Sequence, residues 1–132
     1  MRFSEAQQPI ELILPADANL MLVIRLTAAG VIARAGITVD RMDTLKMAVE
    51  EACGCLIEQR NPPSRIHLRF SCADGSLLIH AEALDAASPA GETTENELEV
   101  MRCILESLVD SAELDVRQGW IAAVRMKAAL AG

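Results

Sequence analysis

Over residues 38–59 apolar side chains recur at steps of three and four, and beyond Asn61-Pro62-Pro63 the period falls to two. Met42, Leu45, Val49, Ala52 and Leu56 form one stripe, which predicts a long amphipathic helix. Thr38 is placed to cap it, Asp40 and Asp43 suit the positive first turn, and the two prolines stop it. After the prolines, Ile66, Leu68, Phe70 and Cys72 face one way while Arg65, His67, Arg69 and Ser71 face the other. A helix with one apolar stripe followed by a strand with one apolar face predicts helices laid on one side of a sheet.

The rest of the chain fits that scheme. Ile10, Leu12 and Leu14 predict a short strand before Pro15. Asp17 or Asn19 then caps a helix to about Ala35, with Leu20, Ile24, Thr27, Ala28 and Val31 inward and Gly36 beyond its end. The short link to the next helix favours an antiparallel pair. Ala73-Asp74-Gly75-Ser76 predicts a hairpin turn into a return strand over 77–83, with Leu77, Ile79 and Ala81 inward and His80 and Glu82 outward. The aperiodic stretch 84–96, LDAASPAGETTEN, predicts a lid-like loop. A third helix is predicted over 97–110, with Leu98, Met101, Leu105 and Leu108 on one face. A last hairpin follows, with Ala112, Leu114 and Val116 inward on one arm. Trp120, Ala122, Val124 and Met126 are inward on the other, across a Gln118-Gly119 turn. The order β-α-α-β-β-α-β-β predicts an α+β fold, a two-layer α/β sandwich, as a single domain over 1–132.

With 132 residues, 52% hydrophobic and 23% charged, the chain has an ordinary globular composition. A net charge of −7 argues against a nucleic-acid partner, which needs clustered cations. No apolar run is long enough to span a bilayer, and the start MRFSEAQQ lacks the pattern of a signal peptide, so a cytoplasmic protein with no membrane partner is expected. Cys53, Cys55, Cys72 and Cys103 have no zinc-ligand spacing and read as reduced thiols.

Ala48-Val49-Glu50-Glu51-Ala52-Cys53 resembles the A-V-x-E-A-C-T-N segment of the anti-sigma-factor serine kinases of the RsbW and SpoIIAB type, members of the GHKL ATPase superfamily. Leu105 to Asp115 in the sequence LESLVDSAELD is similar to that family's L-I-x-x-L-M-D-E-V-x-V segment. The resemblance implies the Bergerat (histidine-kinase-like ATPase) fold. It also implies an ATP site built from a Glu and a magnesium-binding Asn four residues later, an Asp-x-Gly-x-Gly run, and a Gly-Leu-Gly-Leu turn. Glu51 matches the Glu and would be the catalytic group of an active site, but the Asn position is Cys55, a poor ligand for a hard cation. The adenine-binding Asp falls on Ala83 and the first Gly of its run on Asp85, while Glu99-Val100-Met101-Arg102 stands at the glycine turn.

These departures imply a catalytically silent relative with no cofactor. It would act by binding a sigma factor or a STAS-domain anti-anti-sigma partner, with Arg25 at the position of the family's partner-contacting Arg. Two alternatives stand beside it. One is an active ATP- and magnesium-dependent serine kinase in which Asp85 or Glu82 takes over adenine recognition. The other is an assembly module that pairs with itself or an active paralogue, since homodimers are common in the family.

Overall fold

The computed structural model describes residues 9–86 and 91–130. Strand β1 (Ile10–Pro15) leads through a single 3-10 turn at Ala18–Leu20 into helix α1 (Met21–Arg34) and helix α2 (Val39–Ile57). Strands β2 (Arg65–Ala73) and β3 (Ser76–Leu84), helix α3 (Glu95–Glu106), and strands β4 (Ser111–Arg117) and β5 (Trp120–Ala129) complete the order expected from the sequence. The five strands form one antiparallel sheet in the order β1-β2-β3-β5-β4.

The core lies between the helices and the inner sheet face. Leu14, Ile66, Leu68, Phe70, Leu77, Ile79, Ala81, Val124 and Met126 come from the strands. Ile24, Ala28, Val31 and Ile32 of α1 and Leu45, Ala48, Val49, Ala52, Cys53 and Leu56 of α2 close over them. Removing these aliphatic surfaces from water is the main stabilising term, at roughly 25 cal/mol per Å² of apolar area. On α3 only Leu105 is fully buried, so that helix is held more loosely than the other two.

Several local expectations need correction. Asp17 caps the 3-10 turn, its carboxylate accepting the Asn19 amide at 2.9 Å, and α1 begins three residues after that turn opens. Thr38 occupies the N-cap of α2 with an extended backbone but makes no side-chain capping bond. Helix α3 begins and ends earlier than the apolar period implied. Its start is fixed by a capping box in which Thr94 Oγ1 accepts the Glu97 amide and Glu97 reaches back to the Thr94 amide. Residues 87–90 of the predicted lid lie outside the described residues.

The inward set on β5 also differs. Between Ala123 and Ile121 the pairing with β4 slips, because Asp115 pairs with Ala123 while Val116 pairs with Ile121. The extra residue, Ala122, reverses the alternation, so Ile121 enters the core and Trp120 turns away from it. Trp120 remains only 3% exposed, and its indole N–H donates to the Asn61 carbonyl at 2.7 Å. β3 pairs with β5 only as far as Ala123. The Gln59 side chain takes over beyond that point, accepting the Ile121 amide at 2.7 Å and donating to the Ile121 carbonyl at 2.9 Å.

Both hairpins turn through two consecutive residues of positive φ, Asp74-Gly75 and Gln118-Gly119. The second turn is crowded as well. The Gly91 amide donates to Gln118 O and the Thr93 amide to Gly119 O, each at 3.1 Å. A Cβ on Gly119 would lie 2.7 Å from Gly91 O, whereas one on Gly75 would meet nothing within 4 Å. Gly75→Ala should therefore cost about 1 kcal/mol, the strain of a left-handed alanine alone. Gly119→Ala should cost about 2 kcal/mol or more, because backbone must also move. Urea unfolding of the two variants measures the difference, and equal losses would refute the crowding.

Candidate functional site

The phase of α2 decides which of its side chains are free. Burial of Leu45, Ala48, Val49, Ala52, Cys53 and Leu56 leaves Glu50, Glu51, Gly54, Cys55 and Glu58 on the other side. Those five residues form one wall of an open cleft of about 680 Å³. Met21 and Arg25 of α1 border it on one side, and Glu92, Thr93, Glu97 and Met101 of the α3 approach on the other. Gln59 and Arg60 close the end where α2 meets β5.

The cleft is acidic. Glu50, Glu51, Glu58, Glu92 and Glu97 face it against Arg25 and Arg60 alone, five carboxylates to two guanidiniums. Both cations are engaged, Arg25 with Glu50 and Arg60 with Glu92. The positive end of α3 opens on the cleft, yet it is served by protein groups: Thr94 Oγ1 takes the Glu97 amide, and Glu95 and Glu97 lie in the first turn. A helix start can hold a phosphate when its amides are free. Here the Thr94 hydroxyl takes one of those amides, and Glu95 and Glu97 put negative charge where a phosphate would sit.

Burial, followed by the charges of Glu51 and Glu58, pushes the Cys55 thiol up to about 11. Burial, then Cys55 and Glu50, pushes Cys53 up to about 12. Both stay neutral thiols near neutrality. A neutral thiol beside Glu51 does not fit a magnesium ion, which needs hard oxygen ligands in a near-octahedral shell. Among the described residues, no group of three or more His, Cys, Asp and Glu side chains could hold a metal ion.

The sequence-derived residues separate into two places. Glu51 and Cys55 line the cleft, and Arg25 lines it as well. Ala83 and Asp85 do not. Ala83 is partly buried against the core, and Asp85, at φ +57, holds Arg65 at 2.6 Å. Glu82 points to the opposite sheet face, 3.8 Å from His80. Glu99-Val100-Met101-Arg102 lies inside α3 rather than at its start, with Glu99 and Arg102 paired at 3.1 Å. Sequence reasoning missed Glu50, Gln59, Arg60 and the Thr94/Glu97 pair. Only the last carried a readable signal, the T-x-x-E spacing of a capping box.

The geometry defines a class first. The structure resembles the crystal structure of the RsbU and RsbW domains of Rv1364c from Mycobacterium tuberculosis, with a TM-score of 0.73 over 94% of this chain and 33% of that one. At 16% identity this likeness establishes the fold, that of an RsbW domain. Part of the sequence is also similar to proteins named serine-protein kinase RsbW. It is 41% identical over 54 residues to serine-protein kinase RsbW of Bacillus mycoides (strain KBAB4) and 39% identical over 54 residues to that of Bacillus cereus (strain AH187). Each match covers 41% of this chain and 34% of the relative, so the chain matches about a third of the length of these curated relatives. No protein-family model matches the chain. Among the described residues no helix is long and apolar enough to cross a membrane.

The four thiols give a direct check on the cleft. Cys103 is exposed and should alkylate first with iodoacetamide at pH 8, and Cys53 last. Cys55 at about 11 holds roughly a thousandth of its population as thiolate at that pH. Its labelling rate should rise up to about pH 11, and Glu51→Gln should speed it by removing one charge that opposes ionisation. Peptide mapping by mass spectrometry reads each site, and fast labelling of Cys55 at pH 8 would contradict this picture of the cleft.

Proposed function

We propose that the protein is a regulator of the RsbW type that captures a sigma factor or a STAS-domain anti-anti-sigma protein without using ATP. The observation that carries the reading is the outer face of α1. Leu22 and Leu26, one turn apart, are 57% and 63% exposed, and Val23 is exposed beside them. Arg25 lies within this patch, at the edge of the cleft. An apolar patch bordered by a guanidinium has the composition of a protein-binding hot spot, where Arg and large apolar groups contribute most. A surface α1 with no partner would carry charges there, but in this helix the only charged residues are Arg25 and Arg34.

The electrostatics of the cleft support the silent half of the reading. A triphosphate would enter against an excess of three carboxylates and find the α3 start already capped. Losing even one charge-assisted bond costs about 1.5–3 kcal/mol, a factor of ten or more in affinity. The open volume of about 680 Å³ favours the second reading, an active kinase, because the space next to Glu51 has not collapsed.

Two measurements separate these readings. Arg25→Glu should weaken binding to the purified sigma factor or STAS protein of the same organism by at least about tenfold, with the far-UV spectrum unchanged. Equal affinity of variant and parent for both partner types overturns the capture reading. Mg-ATP at millimolar concentration should leave the unfolding midpoint where it was. A micromolar site would add about 4 kcal/mol at a thousandfold excess over Kd. Gly54→Leu provides the control. Its Cβ meets nothing nearer than the Glu58 carboxylate at 3.9 Å, so it fills the cleft without disturbing the core. Partner capture should survive it, whereas a nucleotide-dependent function should not.

A further inference from the structure

The sheet face turned away from the helices carries an unusual row. Following the register across all five strands, Glu11 pairs with Arg69, Arg69 with His80, His80 with Arg125, and Arg125 with Glu113. Three groups able to carry positive charge stand directly opposite one another in the middle of the sheet. Like charges so placed destabilise a sheet unless something compensates them. The carboxylates at the ends do not compensate all of it. Glu11 is taken by His67 at 2.7 Å, leaving Arg69 with no ion pair among the described residues. Arg125 is shared between Asp115 at 3.6 Å and Glu113 at 4.0 Å. Lys127, diagonal to His80, also has no ion pair among the described residues.

The centre of the row holds an unpartnered ring nitrogen. His80 Nε2 is shielded from solvent and has no hydrogen-bond partner, the Glu82 carboxylate standing 3.8 Å away. Burial lowers the His80 pKa first of all; Glu82 opposes this, while Arg125, His67 and Arg69 lower it further. The His80 side chain also lines a cavity of about 350 Å³, bordered by the cations Arg69, Arg125 and Lys127, the hydroxyl-bearing Ser71 and Ser111, and one carboxylate, Glu113. The chain as a whole carries a net charge of −7, so this concentration of cations is local and runs against its average.

We propose that this face binds an oxyanion of the phosphate or sulfate class, held by Arg69, His80 and Lys127 with Arg125 at the rim. The anion neutralises the two unpaired cations beside a charged His80 imidazolium, and the serine hydroxyls can donate to its remaining oxygens. It enters either as the free ion or as the phosphoryl group of a larger molecule. The site lies on the opposite side of the sheet from the acidic cleft and does not depend on the function proposed above.

Inorganic phosphate is the probe, compared with chloride at equal ionic strength, and the imidazole resonances of the two histidines are followed by NMR through a pH titration. A bound dianion favours the charged imidazolium, so the His80 midpoint should rise by about one pH unit in phosphate. Arg69→Gln with Lys127→Gln should weaken phosphate binding about a hundredfold, two charge-assisted bonds at roughly tenfold or more each. Both side chains are exposed, so an unchanged far-UV spectrum is expected. O-phosphoserine is the second arm. Affinity equal to that of phosphate identifies the free ion, and tighter binding identifies a phosphoryl group on a larger ligand. A His80 midpoint that is the same in phosphate and chloride, or a response that persists in the double variant, overturns the proposal.

Discussion

The rotational phase of α2 on the sheet is the constraint from which the other features follow. Six of its side chains are wholly shielded, and turning the helix would replace them with neighbours that leave a cavity or overpack the core. With that stripe fixed, a helix of 3.6 residues per turn has no freedom in what it presents on the far side. Glu50, Glu51, Cys55 and Glu58 face the cleft because Val49, Ala52, Cys53 and Leu56 face the core. Cys53 and Cys55 illustrate the rule: two positions apart, one is sealed and the other half-open. The tie from Gln59 to the Ile121 backbone then fixes the end of α2 against β5, where the slipped pairing leaves backbone groups to be satisfied.

The third helix follows a different logic. With Leu105 as its one fully buried side chain, and Val100 and Ile104 exposed, its position depends more on its ends than on its face. The capping box sets the beginning, and the Gly91 and Thr93 bonds to the β4–β5 turn hold the approach to it. These bonds also bring Glu92 and Glu97 to the cleft. The helix start is thereby capped by Thr94 and flanked by acidic side chains, so the cleft keeps its volume while its charge disfavours an anion.

The order of elements, the antiparallel hairpins and the inward residues of β1, β2 and β3 were legible because each rests on a period that survives folding unchanged. The alternation that runs cleanly through Ile66, Leu68 and Phe70 on β2 is broken on β5, where one extra residue, Ala122, exchanges Trp120 for Ile121 in the core. No local pattern announces a bulge, because its cause lies in the partner strand. At the site, Glu51 and Cys55 could be put on one helix face from their spacing within a resembling motif, whereas nothing in the sequence announced that Arg25, read as a partner contact on α1, borders the same cleft. Ala83 and Asp85 were assigned by counting along a strand, and the structure sets them beside the core and Arg65 instead. The ion pairs Arg25–Glu50 and Arg60–Glu92 span long sequence separations, and nothing in a linear reading selects one carboxylate over its neighbour.

Each of the two faces of the molecule gathers one local cluster of like charge, although the charges come from interleaved positions of the same chain. On α2 the carboxylates gather because the helix offers them one face, and the thiol among them is kept neutral. On the outer sheet face Arg69, His80 and Arg125 gather because the register of the strand pairings aligns them. Neither cluster is demanded by the core, since the side chains concerned contribute little to it. A fold stabilised by aliphatic burial would tolerate a mixture of signs on either side, and interspersed charges would cost less. Each local cluster of like charge is therefore a feature that the scaffold carries at some cost in repulsion, lessened on the sheet by the pairs that Arg125 makes with Glu113 and Asp115.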